Sequence, residues 1–330
     1  MRFASLLTSG CGARLRKEVP MKKVTLVTTV NMLIAIQRAR LTLVLLAALS
    51  ITLLWASPAK AGTTITQSTC PVVITQPGDY TLGTNVGPCA PGVDGIIIAA
   101  SNVTLHLNRH TISGTAISGT CNSSNGIHVM GTSSLFPLTL VRVLGTGTIT
   151  NFGTGFLAEN SAGSYVKFVT VTANCPPTDP TSFGFHIVAS SSQWKLEGNV
   201  VREPGDNSAG IVLRTGANDC DLVRNNVNDT ISVNSNNNNV INNTANDNVD
   251  GIFVTGNNNE IHANTTNNNS DHGLWLSQNM ISGTFASGNN ISGNTSLGNP
   301  IFDMEDDSAN CGTNKWRGNK FKTANMSCIH

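Results

Sequence analysis

Asp271-His272-Gly273, with Asp250-Gly251 one repeat earlier, is the sharpest cluster of acid and imidazole in the chain. An imidazole changes charge near neutral pH and a carboxylate beside it can take or return a proton, so these residue types suit general acid–base chemistry. Asp250 and His272 each stand immediately before a glycine that opens an apolar stretch. If those stretches are strands stacked in register, the two side chains lie about 5 Å apart along the stack. Asp271 is the third candidate for a catalytic role. Capping of turns by Asp250 and Asp271 accounts for the same residues without any chemistry.

A second set of candidates lies two residues past such glycines. Aligned on the glycine, with Ile231-Ser232-Val233 filling one slot that has no glycine, the chain gives a column of Ile97, His128, Leu157, His186, Val212, Ser232, Phe253 and Trp275. If that column faces outward, His186, Phe253 and Trp275 offer a surface on which sugar rings could stack; if loops cover it, it is a satellite core. Other charged neighbours carry a poorer signal. Asp219 and Asp221 beside Arg224, or Lys195 and Glu197 before them, read equally as surface ion pairs worth little. Glu305, Asp306 and Asp307 form the densest acidic run and are hard oxygen ligands of the kind calcium takes, or else solvated turn residues. The histidines are spread along the chain, only His106 and His110 standing close together, and no Met and His cluster suits copper.

The elements that must position these residues show in the repeat itself. Gly-aliphatic-x-aliphatic recurs as Gly95-Ile96-Ile97-Ile98, Gly126-Ile127-His128-Val129, Gly210-Ile211-Val212-Leu213, Gly251-Ile252-Phe253-Val254 and Gly273-Leu274-Trp275-Leu276, among others. In the C-terminal half an apolar residue is followed by Asn three later and a small or apolar residue five later: Leu196-Asn199-Val201, Leu222-Asn225-Val227, Val240-Asn243-Ala245, Ile261-Asn264-Thr266, Ile291-Asn294-Ser296 and Trp316-Asn319-Phe321. Period two, Val, Ile and Thr, and turns of Asn and Gly describe short strands, and a repeat of roughly 20 to 30 residues describes one coil of a solenoid. The apolar register persists through Asn-rich runs such as Asn236 to Asn239, which argues against a disordered linker. One Asn per coil can stack as a hydrogen-bonded ladder inside a turn, and the glycine is expected to permit a tight corner.

The fold class expected is therefore all-β, a single-stranded right-handed parallel β-helix of about nine or ten coils. Residues 62–94 form an N-terminal cap and first strands, residues 95–299 the coils, and residues 300–330 a C-terminal cap in which Trp316 and Phe321 cover the last coil. Residues 1–61 read as a secretory signal peptide with an over-extended start: Arg38 and Arg40, a charge-free stretch from Leu41 to Ala56, then Ala59-Lys60-Ala61 before Gly62, with Met21 or Met32 as alternative starts. Past residue 61 the chain carries 11 Lys and Arg against 18 Asp and Glu, an acidic balance with no basic stripe for nucleic acid. Of the cysteines beyond the leader, Cys70 with Cys89 and Cys311 with Cys328 bracket the two ends that a solenoid must cap, and disulfides there suit an oxidising compartment. Cys121 and Cys175 are candidate partners for each other, which leaves Cys220 free.

On these motifs the region from Gly95 to about Phe321 resembles the right-handed parallel β-helix of the pectate-lyase-like superfamily. It is closest in style to generic secreted bacterial β-helix proteins, a group with NosD-like proteins and alginate C5-epimerases. Asp271-His272-Gly273 resembles the Gly-His-Gly of polygalacturonases, but their Asn-Thr-Asp, upstream Asp-Asp and Arg-Ile-Lys are missing, and Asp306-Asp307 follows the histidine. With the leader, the aromatics of the outward column and no complete catalytic set, the expectation is a secreted, periplasmic or cell-surface monomer, without a membrane span once the leader is removed, that binds a polysaccharide or serves in surface structure. The alternative the resemblance implies is a calcium-assisted lyase or uronate C5-epimerase acting on acidic glycans. The absence of a complete catalytic set leaves open whether the chain is an enzyme, and no cofactor other than calcium is suggested. Amino-terminal sequencing of the exported protein is expected to begin at or within a few residues of Gly62; a sequence starting at Met1 would overturn the leader assignment.

Overall fold

The computed structural model describes residues 62–115, 124–172, 182–188, 190–202 and 209–330. Across them the chain winds as a right-handed parallel β-helix of three sheets, each built from short strands stacked coil on coil. Sheet I has ten strands, beginning with Val72–Ile74 and Ile96–Ile98 and ending with His272–Leu276 and Phe302–Asp306. Sheet II has twelve, from Thr63–Ile65 to Lys315–Arg317. Sheet III has seven, from Val86–Cys89 to Thr244–Ala245, and single bridges carry its line on through Thr265 and Thr295 to Lys320. Ten strands in sheet I correspond to ten coils, within the number expected.

The glycine phrases are the strands of sheet I. Their inward residues stack coil on coil, Ile252 on Leu274 and Val254 on Leu276, and all four are buried. The residues opening the asparagine phrases stack in sheet II, Leu196 on Leu222, Val240, Ile261, Ile291 and Trp316 in succession. No single coil could hide its own stripe, and each buried Val, Leu or Ile is worth about 1.5–3 kcal/mol only because the next coil covers it. The repeated glycines differ from expectation in their reason. None of them has a left-handed backbone. A side chain at Gly126 would instead strike Ile149 and the carbonyl of Gly155, and one at Gly273 would strike Ser296 and the carbonyl of Asp303. Glycine there is a matter of space between sheets I and III.

The asparagine ladder forms with all six residues named from the sequence. The Asn199 oxygen accepts the Val169 N–H at 3.0 Å, and from Asn225 onward each amide oxygen accepts the backbone N–H and the side-chain NH2 of the Asn one coil before. The distances are 3.0 and 3.1 Å from Asn199 to Asn225, 2.8 and 3.1 Å from Asn243 to Asn264, and 2.8 and 3.0 Å from Asn264 to Asn294. Asn225 to Asn243 and Asn294 to Asn319 complete it. Two further ladders stand at the other corners: Asn238, Asn259, Asn289 and Asn314 before sheet II, and Asn248, Asn269 and Asn299 before sheet I. The left-handed residue is not the ladder Asn but the one before it. Gly198, Arg224, Asn242, Ala263, Gly293 and Gly318 all have φ between 54° and 63° and turn the chain into the corner, where the next amide locks it.

The ends are closed by the disulfides Cys70–Cys89 and Cys311–Cys328, the pairs expected. Cys220 is a free, buried thiol, its pKa pushed up to about 12 by burial, and Cys121 and Cys175 lie outside the described residues. Trp316, buried beneath the C-terminal segment, donates its indole N–H to Asp306 at 3.0 Å. Asp306 continues the inward column below Leu276, and its carboxylate also accepts from the Ser308 N–H and the Asn314 amide.

Replacing Asn264 with Ala removes the acceptor for two donors of Asn243 and the donor to the Val240 carbonyl at 2.7 Å. Each buried group left unpaired costs about 1–3 kcal/mol. Asn258, exposed with φ 56°, supplies a left-handed turn that Ala263 shows alanine can also adopt, so Asn258→Ala should cost about 1–2 kcal/mol or less. Urea melts are expected to show the larger loss for Asn264→Ala, and equal losses would contradict the ladder register.

Candidate functional site

The outward column of sheet I is continuous in register. Ile97 neighbours His128, and the line passes through Leu157, His186, Val212, Ser232 and Phe253 to Trp275 and on to Glu305. Inward neighbours and corner amides hold the stack, and the outward positions carry aliphatic, imidazole, hydroxyl, aromatic and carboxylate side chains in turn. Most of them are half-buried, so the column is neither bare surface nor sealed core.

Along its middle the column floors a cleft of about 580 Å³. His186, Arg214, Asn234, Phe253 and Thr255 line it, and the loop Gln278 to Ile281 forms a wall. Among the described residues that line it, Arg214 alone is charged at neutral pH. Arg214 follows the strand Ala209–Leu213, and its guanidinium lies 5.5 Å over the Phe183 ring, which packs 4.4 Å from His186. Its Nε donates to His186 Nε2 at 3.1 Å. Burial, reinforced by the Arg214 charge, holds the His186 pKa down to about 4, so the imidazole is neutral at pH 7 and accepts this bond. Arg214 is thus fixed at Nε, and its terminal nitrogens can serve as a fork for an anion.

Next to the cleft, the structure brings Asp250 and His272 together. His272 Nδ1 meets Asp250 Oδ1 at 2.9 Å and its Nε2 meets Glu305 Oε2 at 2.8 Å. Asp271 lies near enough for its charge to bear on the imidazole. Burial opposes protonation of His272, but the bond to Asp250 and the charges of Asp250, Glu305 and Asp271 prevail and raise its pKa. Burial raises the Glu305 pKa; the imidazole opposes this, while the hydrogen-bonded Asp307 carboxyl adds to it. Asp250, His272, Glu305 and Asp307 form a chain of titratable groups in which the imidazolium is favoured, with a carboxylate on each ring nitrogen. Trp275 stacks on His272 at 4.6 Å, packs against Phe253 at 4.9 Å, and donates Nε1–H to Asp307 at 3.1 Å. Of the three residues read as ligand-binding, His186 and Phe253 line the cleft, and Trp275 connects it to the proton chain.

Strand alternation separates the acidic run once considered for calcium. Asp306 points inward onto Trp316, whereas Glu305 and Asp307 point outward to His272, Trp275 and Ser277. Arg224 pairs with Glu197 at 3.2 Å rather than with Asp221; Glu197 also meets Lys195 and Lys167, and its pKa is lowered, above all by Lys195. Asp221 accepts from Asn239.

Two groups escaped the sequence reading. Arg214 carried no motif. A second clip of the same chemistry spans three earlier coils: His128 Nδ1 meets Asp94 at 2.9 Å and its Nε2 meets Glu159 at 3.0 Å. Its signal was present in Asp94-Gly95, which repeats Asp250-Gly251. The His128 pKa is raised against burial by bonds to both carboxylates.

No family model matches the sequence, and no curated protein does. Among solved structures, the A-module of the Azotobacter vinelandii mannuronan C-5 epimerase AlgE6 is 15% identical, with 80% of this chain and 77% of that chain covered and a TM-score of 0.46. The periplasmic alginate epimerase AlgG is 13% identical over 77% of this chain and 78% of that one, with a TM-score of 0.42. The AlgE4 A-module from Azotobacter vinelandii is 11% identical over 82% and 90%, with a TM-score of 0.37. At such identities and scores, none of them bears on what this chain binds or does.

The two clips set a pH dependence. A histidine whose pKa is raised by folding adds stability that is complete below its unfolded value, about 6.5, and is lost as pH rises through the folded value. His186, lowered to about 4, works on the acid side: its contribution is present above about 6.5 and lost as pH falls toward 4. The melting temperature is therefore expected to decline as pH rises above about 6.5, and the decline should be shallower in His128→Gln and His272→Gln. Parallel profiles for all three proteins would contradict the clips.

Proposed function

We propose that the chain is an exported, monomeric β-helix protein that holds an acidic polysaccharide against the outward face of sheet I. The observation that carries this reading is the cleft itself, in which Arg214, tethered through His186 and Phe183, is the one charged side chain among the described lining residues and Phe253 supplies an aromatic floor. A carboxylate on a sugar suits the guanidinium fork, and the ring suits the aromatic surface. Polar neighbours such as Asn234 and Thr255 can take hydroxyls. Net acidity elsewhere on the chain disfavours indiscriminate binding of polyanions, so affinity rests on this local geometry.

A second reading, proton transfer at a uronate, is favoured by the chain from Asp250 to Asp307. A carboxylate of this chain would take the C5 proton, with the His272 imidazolium held between Asp250 and Glu305 stabilising the charges; the proton would return to C5 in an epimerase or pass to the glycosidic oxygen as its bond breaks in a lyase, and Arg214 would neutralise the sugar carboxylate. Binding and turnover separate in one set of assays with polymannuronate, polygalacturonate and a neutral β-glucan. Equilibrium binding is expected for the acidic polymers, weakened about tenfold or more by Arg214→Gln, since a charge-assisted bond is worth about 1.5–3 kcal/mol. Equal affinity for the neutral glucan, or unchanged affinity in Arg214→Gln, would contradict the proposal. New unsaturated ends or altered uronate configuration, lost in His272→Gln while binding persists, would establish the second reading.

A further inference from the structure

The distance between successive ladder asparagines measures the length of each coil. It is 18 residues from Asn225 to Asn243, 21 from Asn243 to Asn264, 30 from Asn264 to Asn294 and 25 from Asn294 to Asn319. A complete turn therefore needs no more than 18 residues, and the 30-residue coil holds an insertion that stacking does not require. The insertion is a hairpin rooted by the Ala286 N–H on the Ser277 carbonyl at 3.0 Å and closed by an antiparallel bridge between Gln278 and Phe285.

The hairpin carries its own hydrogen bonds. Asn279 Oδ1 accepts the N–H groups of Ile281 and Ser282 at 3.0 and 3.1 Å, and Gln278 Nε2 donates to the Gly283 carbonyl at 2.6 Å. None of these bonds uses the side chain of Met280 or Ile281. Those two residues form the tip, with 96% and 94% of their surface exposed, yet both stand in the wall of the cleft that Phe253 and Arg214 line. Single exposed apolar residues are ordinary, but two adjacent ones at the tip of a pre-formed insertion, facing a cleft, are a surface held ready for a ligand.

We infer that the hairpin is the specificity wall of this cleft and that Met280 and Ile281 bury themselves against the apolar C–H face of a sugar ring whose carboxylate is held at Arg214. The inference rests on the acidic-polysaccharide reading above and adds the residues that select among acidic sugars. A ring whose C–H groups lie on one face while its carboxylate reaches Arg214 fits the wall; an epimer that presents a hydroxyl to Met280 and Ile281 leaves that hydroxyl unpaired and is rejected.

The test is a double variant, Met280→Ser with Ile281→Ser, compared with Leu135→Ser with Phe136→Ser. The control pair is similarly exposed, at 81% and 80%, but does not line the cleft. Because the hairpin's bonds come from Gln278 and Asn279, the tip variant is expected to melt with the parent protein. Binding of polymannuronate and polygalacturonate is then measured for the parent, both double variants and Arg214→Gln. The expected result is loss of affinity by about tenfold for the preferred polymer in the tip variant, a smaller preference between the two polymers, and no change in the control. A tip variant that binds like the parent while Arg214→Gln is weakened overturns the wall and leaves the cleft reading intact. Equal loss in the control overturns the wall as well. If Arg214→Gln binds like the parent, the cleft reading fails and takes this inference with it.

Discussion

The amide of a buried asparagine, paired above and below with its counterparts in adjacent coils, is the interaction on which this solenoid depends. Strands and most corner groups pair backbone to backbone from coil to coil, but the N–H of each ladder asparagine is satisfied by the side-chain amide of the next. At each corner a left-handed residue turns the chain, and the amide that follows accepts from the asparagine of the coil before, donates to a carbonyl of that coil and donates to the amide of the coil after. Water reaches few of these groups, so an amide lost from the column leaves partners unpaired on both sides. The run Asn236 to Asn239 shows how strict the arrangement is. Asn236 accepts the Asn257 N–H, Asn237 adopts φ 59°, Asn238 stands in a buried ladder, and Asn239 reaches Asp221 from sheet II. Four identical residues in a row hold four different positions.

Stacking by corner amides and inward apolar side chains leaves the outward face of sheet I free to be occupied by chemistry. Aromatic, imidazole, aliphatic and carboxylate side chains succeed one another there without disturbing the winding. Two histidines clip three coils each, and a third, His186, is kept neutral and holds Arg214 by its Nε. The contrast follows from the neighbours. His128 and His272 face carboxylates on both ring nitrogens, which favour the charged ring, whereas His186 meets a guanidinium and burial, which favour the neutral one.

Much of this was legible in the residues. The glycine and asparagine phrases locate sheets I and II, the order of the outward column follows from them, and the cysteines at either end pair as their position suggested. What escaped has physical causes. The glycine of the last sheet I strand is replaced by Asp303, so the column seemed to stop at Trp275 and Glu305 was read as part of an acidic loop. A row of three carboxylates looks like one cluster until strand alternation turns Asp306 away from its neighbours. Arg214 lies 28 residues from its partner His186, with no local pattern to link them. The glycines were assigned to backbone freedom because crowding between two sheets is invisible in one coil.

The account stands or falls on whether the cleft over sheet I is where ligand binds. The most direct measurement is a crystal structure of the protein with an oligomer of the uronate it retains most tightly. The account predicts a sugar carboxylate within hydrogen-bonding distance of the Arg214 guanidinium and a ring lying over Phe253. An oligomer bound instead beside Lys167, Lys195 and Arg224 on sheet II, with the cleft empty, would contradict it.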